Sequence, residues 1–146
     1  MDDWYAHVTV ATLVEQDGRF LLVEERSNGD LVINQPAGHL DPDEDLVQAA
    51  VRETLEETGW HVKIEGVLGI ALYTAPNGIT YHRTTFHARA LEWEPDLALD
   101  AGIERALWLS YEEMQAYSDK MRSPLVLATV EQYRNGHHYP LDLIYS

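Results

Sequence analysis

Three glutamates in the middle of the chain have the spacing of a single helical face. Glu53, Glu56 and Glu57 stand at positions i, i+3 and i+4, which lie side by side on an α-helix. Like charges this close repel one another, and a bound divalent cation removes that repulsion. Hard cations such as Mg²⁺ take oxygen ligands from carboxylates and from substrate phosphates. The spacing alone leaves two interpretations open, a metal site and a solvated acidic face on an exposed helix.

The charge balance restricts the kind of ligand that such a site would serve. The 146 residues include 25 acidic and 10 basic side chains, which gives a formal net charge of −15. So acidic a surface repels nucleic acid polymers, and we expect none as a partner. A small phosphorylated substrate would need a divalent metal or local arginines between its phosphates and the protein. Most of the carboxylates are expected to form an ordinary solvated surface.

Composition also excludes several chemistries. The sequence contains no cysteine, which rules out disulfides, thiolate metal sites and a cysteine nucleophile. No signal-peptide pattern and no apolar run of about 20 residues is present. We therefore expect no membrane segment and a cytoplasmic location.

A capped helix is predicted to position the glutamates. The segment from Asp45 to Thr58 combines a loose apolar stripe with an N-cap at Asp45, which Gln48 completes as a capping box. Gly59 stands where a left-handed C-cap is expected. An alternative start uses Asp41 as the cap before a proline, but the capping box favours Asp45.

The segments around this helix predict a β-sheet. Apolar, β-branched runs alternate with turn signals, which is typical of hairpins. The predicted strands are residues 7–14, 19–25, 31–33, 62–74, 79–91 and 106–109, with turns at 16–18, 27–30, 36–38 and 75–78. Residues 92–102 are expected to form an acidic loop. Further helices are predicted to begin at Ser110 and at Ser123, and the last one to end near Asn135. The pattern predicts one mixed α/β or α+β domain over residues 1–146.

A wider sequence pattern around the glutamates restricts the possible reactions of such a site. Residues 38–60 resemble the Nudix box, G-x5-E-x7-R-E-U-x-E-E-x-G-U, in which U is a bulky aliphatic residue. The fixed positions that match are Gly38, Glu44, Arg52, Glu53, Glu56, Glu57 and Gly59. Thr54 and Trp60 replace aliphatic residues, and both are expected to be packing positions.

The resemblance to the Nudix family implies a fold and a catalytic apparatus. The fold is an α/β/α sandwich with a mixed β-sheet, and the cofactor is Mg²⁺, with Mn²⁺ as an alternative. The implied metal ligands are Glu53, Glu56, Glu57 and the backbone carbonyl of Gly38. Two candidates for the general base stay open, namely Glu53 and Glu104, the latter expected in a loop before the strand at Trp108. Arg52, with Glu44, is expected to orient the catalytic loop and helix.

Segments outside the box resemble a phosphatase branch of this family. They are residues 34–40, 122–126 and 139–141. This resemblance implies hydrolysis of nucleoside tri- and diphosphates and of thiamine-related pyrophosphates, with release of orthophosphate. One alternative is a Nudix pyrophosphatase for ADP-ribose or an oxidised deoxynucleotide. Another is a catalytically silent nucleotide-binding domain, which the intact box disfavours. Because the family forms both monomers and dimers, either state is expected.

Substrate contacts are expected from arginines and aromatic residues. The arginine candidates are Arg26, Arg83 and Arg122, and the aromatic candidates are Trp4, Tyr73 and Tyr81. For each arginine the alternative is an ordinary surface ion pair with one of the many acids. For each aromatic residue the alternative is a place in the core.

Overall fold

A seven-stranded mixed sheet carries the helix that bears the glutamates. The computed structural model of the chain describes residues 3–145. Its strands are β1 (His7–Gln16), β2 (Arg19–Ser27), β3 (Asp30–Asn34), β4 (Ala37–His39), β5 (Trp60–Thr74), β6 (Thr80–Trp93) and β7 (Ile103–Ser110). Its α-helices are α1 (Leu46–Thr58), α2 (Tyr111–Ala116) and α3 (Leu125–Arg134), and short 3₁₀ turns cover Ser118–Lys120 and Leu141–Leu143.

The strand order places β1 at the centre of the sheet. The main path runs β3-β2-β1-β6-β5, while β4 pairs with β1 and β7 pairs with β2. The β1–β6 pair is parallel and the other pairs are antiparallel. A parallel pair needs a long crossover connection, and the chain between β1 and β6 includes α1. The helix is thereby brought against β1, β4 and β5.

Side chains from the two faces of the sheet form two separate cores. On β2, Leu21 faces one core together with Ala49 and Ala50 of α1. Its neighbour Leu22 faces the other core, with Val126 of α3. This alternation is the period-2 pattern of a strand buried on both sides. It confirms the predicted α/β/α sandwich with a mixed sheet.

The capping signals of α1 are confirmed. The Asp45 carboxylate accepts a hydrogen bond from the Gln48 backbone N–H at 2.7 Å, and the Gln48 side chain accepts one from the Asp45 N–H. Gly59 adopts φ +79° and its N–H donates to the Leu55 carbonyl. The helix therefore begins after Asp45, and the alternative start at Asp41 is wrong.

Two local predictions are wrong. Part of the expected turn at residues 36–38 is the short strand β4, which pairs with β1 through Ala37 and Ala11. The last predicted strand is longer than residues 106–109, so that Glu104 lies in β7 rather than in a loop. Both differences arise because a neighbouring strand offers pairing partners that override the local turn or polar signal.

The two unusual box positions are packing positions, as expected. Thr54 is fully buried and its hydroxyl donates to the Ala50 carbonyl at 2.7 Å. Trp60 stacks against Trp93 and meets Trp108 edge to face. Among the helices of residues 3–145, none has the length and apolar composition needed to cross a membrane.

The cap at Asp45 predicts a measurable loss of stability on its removal. We expect Asp45→Ala to lower the free energy of unfolding by about 1 kcal/mol, because the first turn of α1 loses a side-chain acceptor. Urea unfolding measures the change. Asp96→Ala, in an exposed loop, is the matched control and should change stability little. Equal effects of the two substitutions would contradict the assigned cap.

Candidate active site

A cluster of three carboxylates lies at the side of α1. Ligand oxygens of Glu53, Glu56 and Asp100 all lie within 4.8 Å of one another. Asp100 comes from the loop between β6 and β7, and its backbone N–H donates to the Glu56 carbonyl at 3.0 Å. This hydrogen bond ties the loop to the helix. Sequence reasoning missed Asp100, since the loop contains several acids and nothing local distinguishes this one.

Arg52 holds this part of the site together. Its guanidinium donates to both Glu44 oxygens, at 2.6 and 2.9 Å, and to Glu53 at 2.8 Å. It also approaches Glu56 at 3.4 Å and donates to the His39 carbonyl at 3.1 Å. The hydrogen bond from Arg52 holds the pKa of Glu44 below its usual range. These contacts join Glu44, β4 and α1 through one side chain, and the orienting role of Arg52 and Glu44 stays a prediction.

Glu57 lies deeper than the other two glutamates. It is 9% exposed, and its carboxylate accepts a hydrogen bond from the Ala37 backbone N–H at 3.0 Å. Burial raises the pKa of Glu57 to about 8, with a further increase from the negative charge of Glu53. Burial also raises the pKa of Glu53, against the opposing effect of Arg52. A nearby cation would favour the ionised forms of both groups.

Gly38 is required by the close approach of β4 to α1. A Cβ atom at this position would overlap the carboxyl group of Glu53. The strand cannot easily withdraw, because Gly38 pairs with Val10 in the central strand of the sheet. The box glycine therefore leaves the Glu53 carboxylate and the β4 backbone next to each other.

A cleft of about 580 Å³ opens beside the carboxylates. This volume is in the range of sites for small molecules and cofactors. Its polar walls include Glu25, Asn34, Glu53, Glu57, Arg83 and Arg122. Of the predicted aromatic contacts, Tyr73 and Tyr81 line the cleft. Trp4 is 74% exposed and lies outside the lining residues.

The structure separates the three candidate arginines. Arg83 and Arg122 line the cleft, and Arg122 pairs there with Glu25 at 2.8 Å. Arg26 instead pairs with Glu104 at 2.7 Å. Within residues 3–145, neither partner of this second pair lines the cleft or belongs to the carboxylate cluster. From the sequence, Arg26, Arg83 and Arg122 are equal candidates, because local pattern does not show which side chains face a cleft.

Comparison with known proteins identifies the class. The sequence model of the NUDIX domain matches residues 5–129. The chain therefore belongs to the Nudix family and is a hydrolase that acts on pyrophosphate bonds of small phosphorylated substrates. Nudix hydrolases generally use divalent metals, and the acidic cluster agrees with that use.

Individual proteins of known sequence or structure show how similar the chain is to particular members of the family. The chain is 41% identical to phosphatase NudJ of Escherichia coli K12 over 138 residues, which is 94% of this chain and 90% of that protein. A NUDIX hydrolase from Nitrosomonas europaea is 45% identical, with a TM-score of 0.94 over 97% of both chains. An ADP-ribose pyrophosphatase from Streptococcus suis shares the fold alone, with 20% identity and a TM-score of 0.68 over 92% of this chain and 96% of that one.

The crowding at Gly38 predicts an energetic coupling to Glu53. We expect Gly38→Ala to lower the free energy of unfolding by about 1 kcal/mol or more, because the new methyl group displaces the buried carboxyl group. In a Glu53→Ala background the same change should have much less effect. A double-mutant cycle by urea unfolding measures this coupling. Identical effects of Gly38→Ala in both backgrounds would show that the two residues do not compete for the same space.

Proposed function

We propose that this chain is a Mg²⁺-dependent phosphatase, with Mn²⁺ as an alternative cofactor. Its proposed substrates are nucleoside tri- and diphosphates and thiamine-related pyrophosphates, from which it releases orthophosphate. The observation that carries the proposal is the carboxylate cluster at the edge of a cleft that also contains arginines. The similarity to phosphatase NudJ over most of both chains supports release of orthophosphate.

The residues of the cluster fit a hard divalent cation. Its three ligands are carboxylate oxygens, which Mg²⁺ and Mn²⁺ prefer. Glu53, Glu56 and Asp100 would hold the metal. Glu57 and the carbonyl of Gly38 are the further ligands that the family resemblance implies. A divalent cation, when bound, neutralises phosphate charge and makes a bound water more acidic.

The chain's own residues have distinct proposed roles. Phosphoryl transfer depends on positioning and on charge neutralisation, and Arg52 positions Glu53 and Glu56 through direct contacts. Glu53 is the proposed general base, since it lines the cleft and belongs to the carboxylate cluster. Glu104 is the weaker candidate, because within residues 3–145 it belongs neither to the lining of the cleft nor to that cluster.

The same apparatus would also serve a pyrophosphatase for ADP-ribose or an oxidised deoxynucleotide. A silent nucleotide-binding domain is less well supported, because every glutamate of the box is retained. The single domain over residues 1–146, the cytoplasmic location and the choice between monomer and homodimer stay predictions.

Product analysis in Mg²⁺ tests the proposed activity. The panel is GTP, GDP, hydroxymethylpyrimidine pyrophosphate, ADP-ribose and an oxidised dGTP, with orthophosphate and pyrophosphate measured separately. We expect orthophosphate from the first three compounds and little turnover of ADP-ribose. Pyrophosphate as the main product, or a preference for ADP-ribose, would assign the protein to the alternative. Absence of turnover throughout the panel would favour the binding domain.

Substitution of the acids tests their assignment. We expect Glu53→Gln to lower kcat about 100-fold or more, because it removes the proposed base. At saturating metal, where a weakened ligand set is compensated, Glu53→Gln should keep most of its loss in kcat, whereas Glu56→Gln, which removes only a ligand, should recover part of its activity. Steady-state kinetics at several Mg²⁺ concentrations measure both effects.

Two controls accompany these variants. Glu104→Gln tests the other candidate base and should retain nearly full kcat, as should Glu112→Gln, an exposed acid on α2. A large loss in Glu104→Gln with normal kcat in Glu53→Gln would reverse the assignment of the base.

A further inference from the structure

Arg83 is a buried cation whose charge no neighbouring acid balances. It is 7% exposed and lies on β6. Its hydrogen bonds go to the side-chain oxygens of Gln35 at 2.8 Å, Thr85 at 3.2 Å and Thr129 at 3.4 Å, all of them neutral. Among residues 3–145, no carboxylate lies within 4.0 Å of its guanidinium. Burial lowers the pKa of Arg83 to about 10, so it is still charged near neutral pH. A buried charge without a counter-ion is costly.

The other arginines show that this situation is exceptional in the chain. Six of them have a carboxylate oxygen within 4.0 Å: Arg19, Arg26, Arg52, Arg89, Arg105 and Arg122. Arg134 is exposed and lies over the ring of Tyr111. With 25 acidic residues available, a lack of acids does not explain the missing partner of Arg83.

The guanidinium of Arg83 is held in a fixed orientation. Gln35 is 1% exposed, and its side-chain N–H donates to the Val126 carbonyl at 2.8 Å. This hydrogen bond directs the Gln35 oxygen toward Arg83. Since Gln35 and the two threonines engage Nε and Nη2, Nη1 is left for a ligand in the cleft that Arg83 lines. A guanidinium fixed in this way recognises a phosphate through directed, charge-assisted hydrogen bonds.

Arg83 lies deep in the cleft. It is buried, whereas Pro76 and Asn77, which also line the cleft, are exposed. Tyr81 is on the same face of β6, one strand repeat from Arg83, which is about 7 Å, and Tyr73 is its cross-strand partner. The cation is thus the more deeply buried group, and two less buried aromatic side chains lie next to it along the cleft wall.

We propose that Arg83 binds the terminal phosphate of a substrate that enters the cleft end-on, with its ring system near Tyr73 and Tyr81. This inference rests on the proposed function and adds to it the residue that recognises the end of the substrate. A terminal phosphate carries no further substituent and therefore fits against a cation that is this deeply buried. A phosphate with groups on both sides does not. The site selects compounds that end in a phosphate, such as nucleoside diphosphates, over diphosphate diesters such as ADP-ribose.

Binding of inorganic phosphate without divalent metal tests the anion site by itself. Calorimetric titration and thermal unfolding in EDTA are applied to the full chain and to Arg83→Gln. We expect phosphate to bind and to raise the unfolding temperature of the wild type. Arg83→Gln should weaken binding about tenfold or more, because a charge-assisted contact is lost. Arg105→Gln, which removes an exposed arginine paired with Glu24, is the control and should bind as the wild type does.

Kinetics with the same variants test the selection of substrates that end in a phosphate. We expect Arg83→Gln to lower kcat/KM for GDP about tenfold and to change the small residual kcat/KM for ADP-ribose much less. Arg83→Lys keeps the charge without the paired donors, so its kinetic constants for GDP should lie between those of the wild type and those of Arg83→Gln. It also provides the comparison if Arg83→Gln does not fold. Phosphate binding unchanged in both variants, or equal effects on the two substrates, would overturn the inference. Because phosphate binding is measured without turnover, failure of the proposed hydrolysis would be recognised separately.

Discussion

The structure has to keep four carboxylates close together in a chain whose net charge is already −15. Glu53, Glu56 and Asp100 share one cluster, and the charge of Glu53 acts on Glu57. Two features of the protein reduce this repulsion. Arg52 contacts two of the acids directly, and burial favours the protonated form of Glu57. A bound cation would reduce the remaining repulsion further, and it is the most effective way to stabilise such a group of carboxylate oxygens.

The backbone around these acids also serves to keep the carboxylates close together. Gly38 lets β4 lie against the Glu53 carboxyl group, and the pairing of β4 with the central strand β1 fixes its position. On the other side, the hydrogen bond between Asp100 and the Glu56 carbonyl joins the β6–β7 loop to α1. The acids thus come from a helix and a loop that are both anchored to the sheet. Arg83, buried in the wall of the adjoining cleft, supplies positive charge where its hydrogen-bond partners are neutral.

Local signals allowed the most accurate predictions. The bounds of α1 could be predicted because the Asp45 cap, the Gln48 side chain and the Gly59 cap act within a few residues of the helix ends. The hairpins and a mixed α/β or α+β domain followed from strand alternation and turns, whereas the α/β/α sandwich was implied by the family resemblance. Contacts between distant segments could not be predicted in this way. The extension of β7 to Glu104 depends on pairing with β2, and the approach of Asp100 to the glutamates depends on the path of a loop. The burial of Arg83 depends on α3, which covers that face through Thr129.

The central claim is that the carboxylates at the side of α1 hold the catalytic metal. Anomalous scattering from a crystal of the full chain grown with Mn²⁺ tests it most directly. We expect a Mn²⁺ peak bound by Glu53, Glu56 and Asp100. A Mn²⁺ ion bound only elsewhere, for example at Glu104, would contradict it. So would the absence of Mn²⁺ from this cluster under conditions in which the crystallised protein hydrolyses a nucleoside diphosphate.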